Sequence, residues 1–196
     1  MVLVVSLGIL VFALGASLYK GRSFRFDKAS ALKKVFFASV LLLSFLLLYF
    51  SFAQYRLWLG SEISKYFLPP YQSIFYFLFY VGMRFFIPYG VSLAAAGLVF
   101  YVMTRMNRRY GEKFFYAEEY YLAAIAVFLT GHPGWMIYLI LLLVGYLFIH
   151  LLFLATFRNS SSRISFYYLW LPIAIFVILM ETLYLAPLAW WKQLSF

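Results

Sequence analysis

The stretch YQSIFYFLFYVGMRFFIPYGVSLAAAGLVFYVMT, residues 71–104, decides how this chain is threaded. It carries a single charge, Arg84. As a straight α-helix it would measure about 50 Å at 1.5 Å per residue, against a hydrocarbon core of about 30 Å. One membrane crossing leaves surplus length, whereas two require a turn. The weak point lies near Arg84–Gly90: Pro88 lacks a backbone donor and crowds the preceding turn, and Gly90 adds freedom.

The flanking charges choose between one and two. Upstream, residues 56–70 carry Arg56, Glu62 and Lys65 and end in Pro69-Pro70, a nearly neutral balance. Downstream, 105–115 (RMNRRYGEKFF) carries Arg105, Arg108, Arg109 and Lys113. Basic loops stay cytoplasmic. The stretch thus starts outside and ends inside, and one crossing is the simplest solution.

The rest follows outward from that point. Residues 3–19 form a first apolar segment; no charged side chain precedes Lys20, so the positive start of a signal peptide is missing. Residues 20–34 hold Lys20, Arg22, Arg25, Lys28, Lys33 and Lys34 against Asp27 alone, which makes this loop cytoplasmic and the N-terminus external. Residues 35–55 form an uncharged second span. Beyond the basic 105–115 loop come spans at 117–131, 135–157 and 164–187, joined by the turn Gly131-His132-Pro133-Gly134 and the polar hairpin 158–163 (RNSSSR). The expected fold is an all-α polytopic integral membrane protein: one domain, about six transmembrane helices, both termini outside.

Composition agrees. The chain is 66% hydrophobic and 11% charged, with a mean hydropathy of +0.92, too little polar surface for a water-soluble protein of 196 residues. The net charge is +10, and twelve of the sixteen Lys and Arg residues fall in the predicted cytoplasmic segments 20–34, 105–115 and 158–163. That distribution sets orientation and meets anionic lipid; it forms no basic helix face for nucleic acid. The absence of cysteine excludes disulfides, thiolate metal sites and cysteine nucleophiles. Trp58, Trp135, Trp190 and Trp191 map to the external interface and Trp170 to the internal one, as aromatic belts do.

Polar residues within the spans are the candidate sites. Arg84 and Glu181 both fall toward the outer side and are candidates for an ion pair or a ligand site. His150, in GYLFIHLLFL, is a candidate for an interhelical hydrogen bond, proton relay or ligand contact, but no paired spacing such as HExxH marks a metal. GVSLAAAG at 90–97 places Gly90, Ser92, Ala94, Ala96 and Gly97 as a close-packing face, because small residues spaced by four let helices approach.

Glu118 and Glu119 open the 117–131 span, where acids complement the helix dipole. A catalytic role would need a second carboxyl, and Asp27, the only aspartate, is on the same side. Phe115-Tyr116-Ala117-Glu118 followed by LAAIAVFL resembles the GxGD motif and following helix of the prepilin peptidases, polytopic aspartyl proteases. Both glycines and the aspartate of that motif are absent, so the resemblance implies an inactive relative.

Short loops, few intramembrane polar groups and no catalytic constellation point to a non-catalytic membrane subunit or scaffold, without cofactor or metal, whose partners are lipids and other membrane subunits. The alternatives are a small transporter or ligand-binding module with its site at the broken 71–104 helix, and the degenerate protease relative.

Overall fold

The computed structural model describes residues 2–18, 28–111, 114–156, 166–189 and 191. Seven α-helices account for most of them: α1 (Val2–Leu18), α2 (Lys28–Gly60), α3 (Ile74–Val81), α4 (Ile87–Arg109), α5 (Ala117–Thr130), α6 (Gly134–Thr156) and α7 (Trp170–Met180). No strand occurs among the described residues. Four helical stretches are long and apolar enough to cross a membrane: Lys28–Gly60, Ile74–Arg109, Gly134–Phe153 and Phe166–Leu185. The chain is thus all-helical with the make-up of an integral membrane protein.

The decisive stretch is one continuous helical rod. Between α3 and α4 the backbone widens into a single π-helical turn, Gly82–Phe86, and then resumes as α4. Pro88 does not break the rod. It sits in the first turn of α4, immediately after the π turn, where the wider hydrogen-bond register accommodates a residue without an N–H. The expected discontinuity near Arg84–Gly90 is therefore a bulge.

The bundle is organised around α5. Leu122 through Thr130 are buried without interruption, and α5 packs against α1, α2, α4, α6 and α7. A helix apolar all round belongs in the middle. Its length, about 21 Å, is short of the hydrocarbon core. Enclosed by neighbours, it can be short, because its ends are held by protein groups. Ala123, Ala124 and Ala126 keep its girth small enough for five helices to close around it.

α2 extends beyond the expected span 35–55 at both ends, starting at Lys28 and ending at Gly60. Lys, Ala, Leu and Arg are good helix formers in lipid or water, so hydrophobicity does not set the boundary. The bundle uses Leu32, Val35, Phe36, Val40 and Leu43 of α2, and Tyr89 to Met103 of α4. Beyond those, the C-terminal half of α2 and the α3–π segment form a projecting arm. A separate small core of Leu68, Phe77 and Val81, flanked by Tyr55, Trp58 and Tyr80, holds it together. Trp58 lies edge-on to Phe77 at 5.3 Å between ring centroids and 4.9 Å from Tyr80.

Candidate functional site

Both ends of α5 are polar and enclosed, and each is closed by a buried glutamate. At the N-terminal end Glu119 is 1% exposed and accepts a hydrogen bond from the Trp170 indole, Nε1 to Oε2, at 3.4 Å. Tyr138 donates to the Trp170 carbonyl at 3.2 Å, and Tyr167 donates to the Ser17 carbonyl at 3.0 Å. These bonds tie α5 and α6 to α7, and the turn that precedes α7 to α1.

The same end contains a residue that the sequence reading assigned to a loop. Asn107 is inside α4 and 2% exposed. Its Oδ1 accepts from the backbone N–H of Phe114 (2.9 Å) and Phe115 (3.1 Å), and its Nδ2 donates to the Phe115 carbonyl (2.9 Å) and to the Tyr120 hydroxyl. The amide side chain acts as a surrogate backbone for the irregular segment entering α5. Non-helical backbone at such a place is tolerated only when protein groups satisfy it. An Asn among the arginines of MNRR reads as loop; only its place four, seven and eleven residues after Met103, Phe100 and Ala96 could have marked the buried face.

At the C-terminal end, α5 stops at Gly131, whose φ of +66° suits a residue without Cβ. The turn 131–134 is largely buried in the bundle, with Gly131, Pro133 and Gly134 inside and the Trp135 indole donating to His132 Nδ1 at 3.3 Å. Glu181 begins a π-helical turn, Glu181–Leu185, at the end of α7. Its carboxylate lies over Gly134, the first residue of α6, with Oε2 only 2.8 Å from the position a Gly134 Cβ would take. The Trp191 indole hydrogen-bonds this carboxylate, but Oε2 is buried without a hydrogen-bond partner. Tyr89 of α4 packs on Gly131, its ring 3.7 Å from the position a Gly131 Cβ would take. Ser6 is fully buried and its hydroxyl makes no hydrogen bond that meets normal geometry.

Trp170 and Trp191, assigned by sequence to interfacial belts, are both 4% exposed. A buried indole has one N–H to satisfy, and here each of these two finds a glutamate.

The remaining candidates are placed as follows. Arg84 is exposed on the π turn and Glu181 is buried against Gly134, so the two are not brought together. His150 is exposed on α6 and stacks on Tyr146 one turn earlier, at 5.8 Å and 12° between planes. Glu118 is partly exposed beside the buried Glu119, and Asp27 lies outside the described residues. Among the described residues no group of three His, Asp or Glu side chains gathers in a metal-binding arrangement.

The 90–97 face divides in two. Ser92 and Ala96 face α5, with Ser92 Oγ donating to the Phe128 carbonyl at 3.3 Å. Gly90, Ala94 and Gly97 are exposed, and a Cβ built at Gly90 or Gly97 would meet nothing within 4 Å. At 100° per residue, positions 92 and 96 share a stripe that 90, 94 and 97 cannot join. Gly90 and Ala94 instead line an apolar groove of about 480 Å³ with Phe79, Met83, Phe86 and Ile87. Comparison of the chain with protein-family models, with curated proteins and with solved structures finds no match.

Proposed function

We propose that this chain is a non-catalytic integral membrane subunit, or scaffold, of a larger membrane assembly. In this reading it crosses the bilayer six times, with both termini outside and segments 20–34, 105–115 and 158–163 in the cytoplasm. The two crossings beyond the four long ones are α1, of 17 residues, and the enclosed α5, of 14.

The observation that carries the reading is the exposed small-residue stripe on α4. Gly90, Ala94 and Gly97 have the character of a close helix contact, yet among the described residues no helix lies on them. Such stripes drive helix association in lipid, where burial of apolar side chains gives no net gain over acyl chains. A transmembrane helix of another subunit fits there. The adjoining groove is apolar, and it offers no convergent polar groups to a solute.

Replacing Gly90 and Gly97 by Leu tests this. A Cβ at either position meets nothing within 4 Å among the described residues and both positions are exposed, so the variant is expected to fold. Native electrophoresis of mild-detergent extracts should show the wild type in a larger particle and the double variant released from it. A wild type that migrates as a monomer, or a double variant that stays in the large particle, would overturn the proposal.

A further inference from the structure

We propose that Arg105 and Arg109, with Arg108 beside them, hold the headgroup phosphate of an anionic glycerophospholipid at the C-terminal end of α4. Arg105, Met106, Arg108, Arg109 and Tyr110 line a hollow of about 520 Å³ there. All five are exposed. A guanidinium fork meets two phosphate oxygens with parallel hydrogen bonds, which an ammonium cannot do.

Helix geometry holds the arginines in place. Asn107 is buried and bonded to the segment entering α5, so the last turn of α4 is pinned to the bundle. Arg105 and Arg109 each lie two residues from Asn107, about 200° around the helix, and therefore face away from the bundle. They are four residues apart and share one side. Like charges at that spacing repel, and an anion bound between them offsets the repulsion. The dipole of α4 favours cations in its last turn, but it does not account for the hollow or for what lies above it.

The residues above select a lipid over a free anion. Leu98 and Val102 are exposed on the same stripe as Arg105 and Arg109, all four within about 60° of arc. An acyl chain lying along that stripe brings its headgroup to the level where the uncharged run 87–104 ends. The phosphate of a zwitterionic lipid is offset by its own cation, so the arginines favour headgroups of net negative charge. This stripe runs beside Gly90, Ala94 and Gly97, and the inference does not depend on a partner subunit there.

The test is a thermal-melting titration of the purified full chain in dodecyl maltoside at constant ionic strength. The additions are dioleoyl phosphatidylglycerol, dioleoyl phosphatidylcholine and glycerol 3-phosphate. Phosphatidylglycerol should raise the melting temperature saturably, by linkage of ligand to the folded state, and the other two should not. Arg105→Gln combined with Arg109→Gln should weaken the apparent affinity more than about tenfold, the order expected for losing two cations at an anionic headgroup. The charge-matched pair Arg56→Gln and Arg84→Gln, at exposed positions elsewhere, should leave it unchanged. Should the first double variant fail to fold, Arg109→Gln alone is expected to weaken binding about fivefold. An equal shift with phosphatidylcholine would overturn the proposal by assigning the effect to lipid in general. An equal shift with glycerol 3-phosphate would overturn it in favour of a free anion. Equal weakening by both pairs would leave net charge as the cause, and the absence of any shift with phosphatidylglycerol would remove the site altogether.

Discussion

The carboxylate of Glu181 occupies the space where a side chain at Gly134 would begin, with Oε2 2.8 Å from the ideal Cβ position. Real Cβ atoms do not approach an oxygen that closely, so a side chain at the glycine that opens α6 would oblige the buried Glu181 carboxylate, the end of a flexible side chain, to move. Gly134→Ala is expected to destabilise the protein by about 1–3 kcal/mol, the usual cost of overpacking a fitted contact. Paired with Glu181→Ala, the same substitution should cost markedly less. A double-mutant cycle on detergent unfolding measures the coupling, and additive effects would show that the contact carries no strain.

Asn107 should prove more sensitive than its place in an arginine-rich segment suggests. Asn107→Ala leaves the Phe114 and Phe115 amides and the Phe115 carbonyl without their partner. The expected loss is about 3 kcal/mol or more, since each orphaned buried group costs about 1–3 kcal/mol. Asn107→Asp keeps the acceptor for both amides and loses only the donor, so its effect should be smaller. Hydrogen exchange of the amides at 114 and 115 reads the difference directly; equal protection in wild type and Asn107→Ala would contradict it.

Overpacking should separate α5 from α4. Ala126→Leu in the fully buried middle of α5 is expected to cost about 1–3 kcal/mol or to prevent folding, because five helices close around that position. Ala94→Leu on the exposed side of α4 adds the same three carbons and should change stability by less than about 0.5 kcal/mol. Melting temperatures of the two variants in one detergent make the comparison, and similar losses at both sites would count against the arrangement.

Trp170→Phe removes the indole N–H from Glu119 while keeping most of the ring volume. The expected cost is about 1–3 kcal/mol, more than a volume change alone would give, because the acceptor is a buried carboxyl. Glu119→Gln in the Trp170→Phe background should recover part of it, since a neutral amide is cheaper to leave underbonded. Failure of any recovery would assign the loss to packing.

The threading can be read with thiol labelling, because the chain has no cysteine of its own. Glu62→Cys and Arg109→Cys, both at exposed positions, are expected to react with a membrane-impermeant maleimide from opposite faces of sealed vesicles. Labelling of both from one face would remove the single-crossing assignment of the rod between them.

The sequence alone determined the class of this protein. Hydropathy fixes a membrane helix because lipid offers no partner for a free backbone N–H or C=O, and that argument needs no knowledge of neighbours. The charge at the two ends of 71–104 is likewise a local property and led to one crossing broken near Arg84–Gly90; the folded chain has a π turn there, within a helical stretch that runs over 74–109. Tertiary structure decided everything that depends on which face meets which helix. Small residues at 90–97 announce a close contact but not its side, and only the packing against α5 showed that Ser92 and Ala96 are used and that Gly90 and Gly97 are left open. Glu181 was legible as an intramembrane acid, yet its neighbour Gly134 comes from α6, far away in the chain. Asn107 was invisible because an amide side chain declares nothing until a backbone stretch arrives to be bonded. The broken helix that looked like the place for a ligand closed into a π turn with an apolar groove.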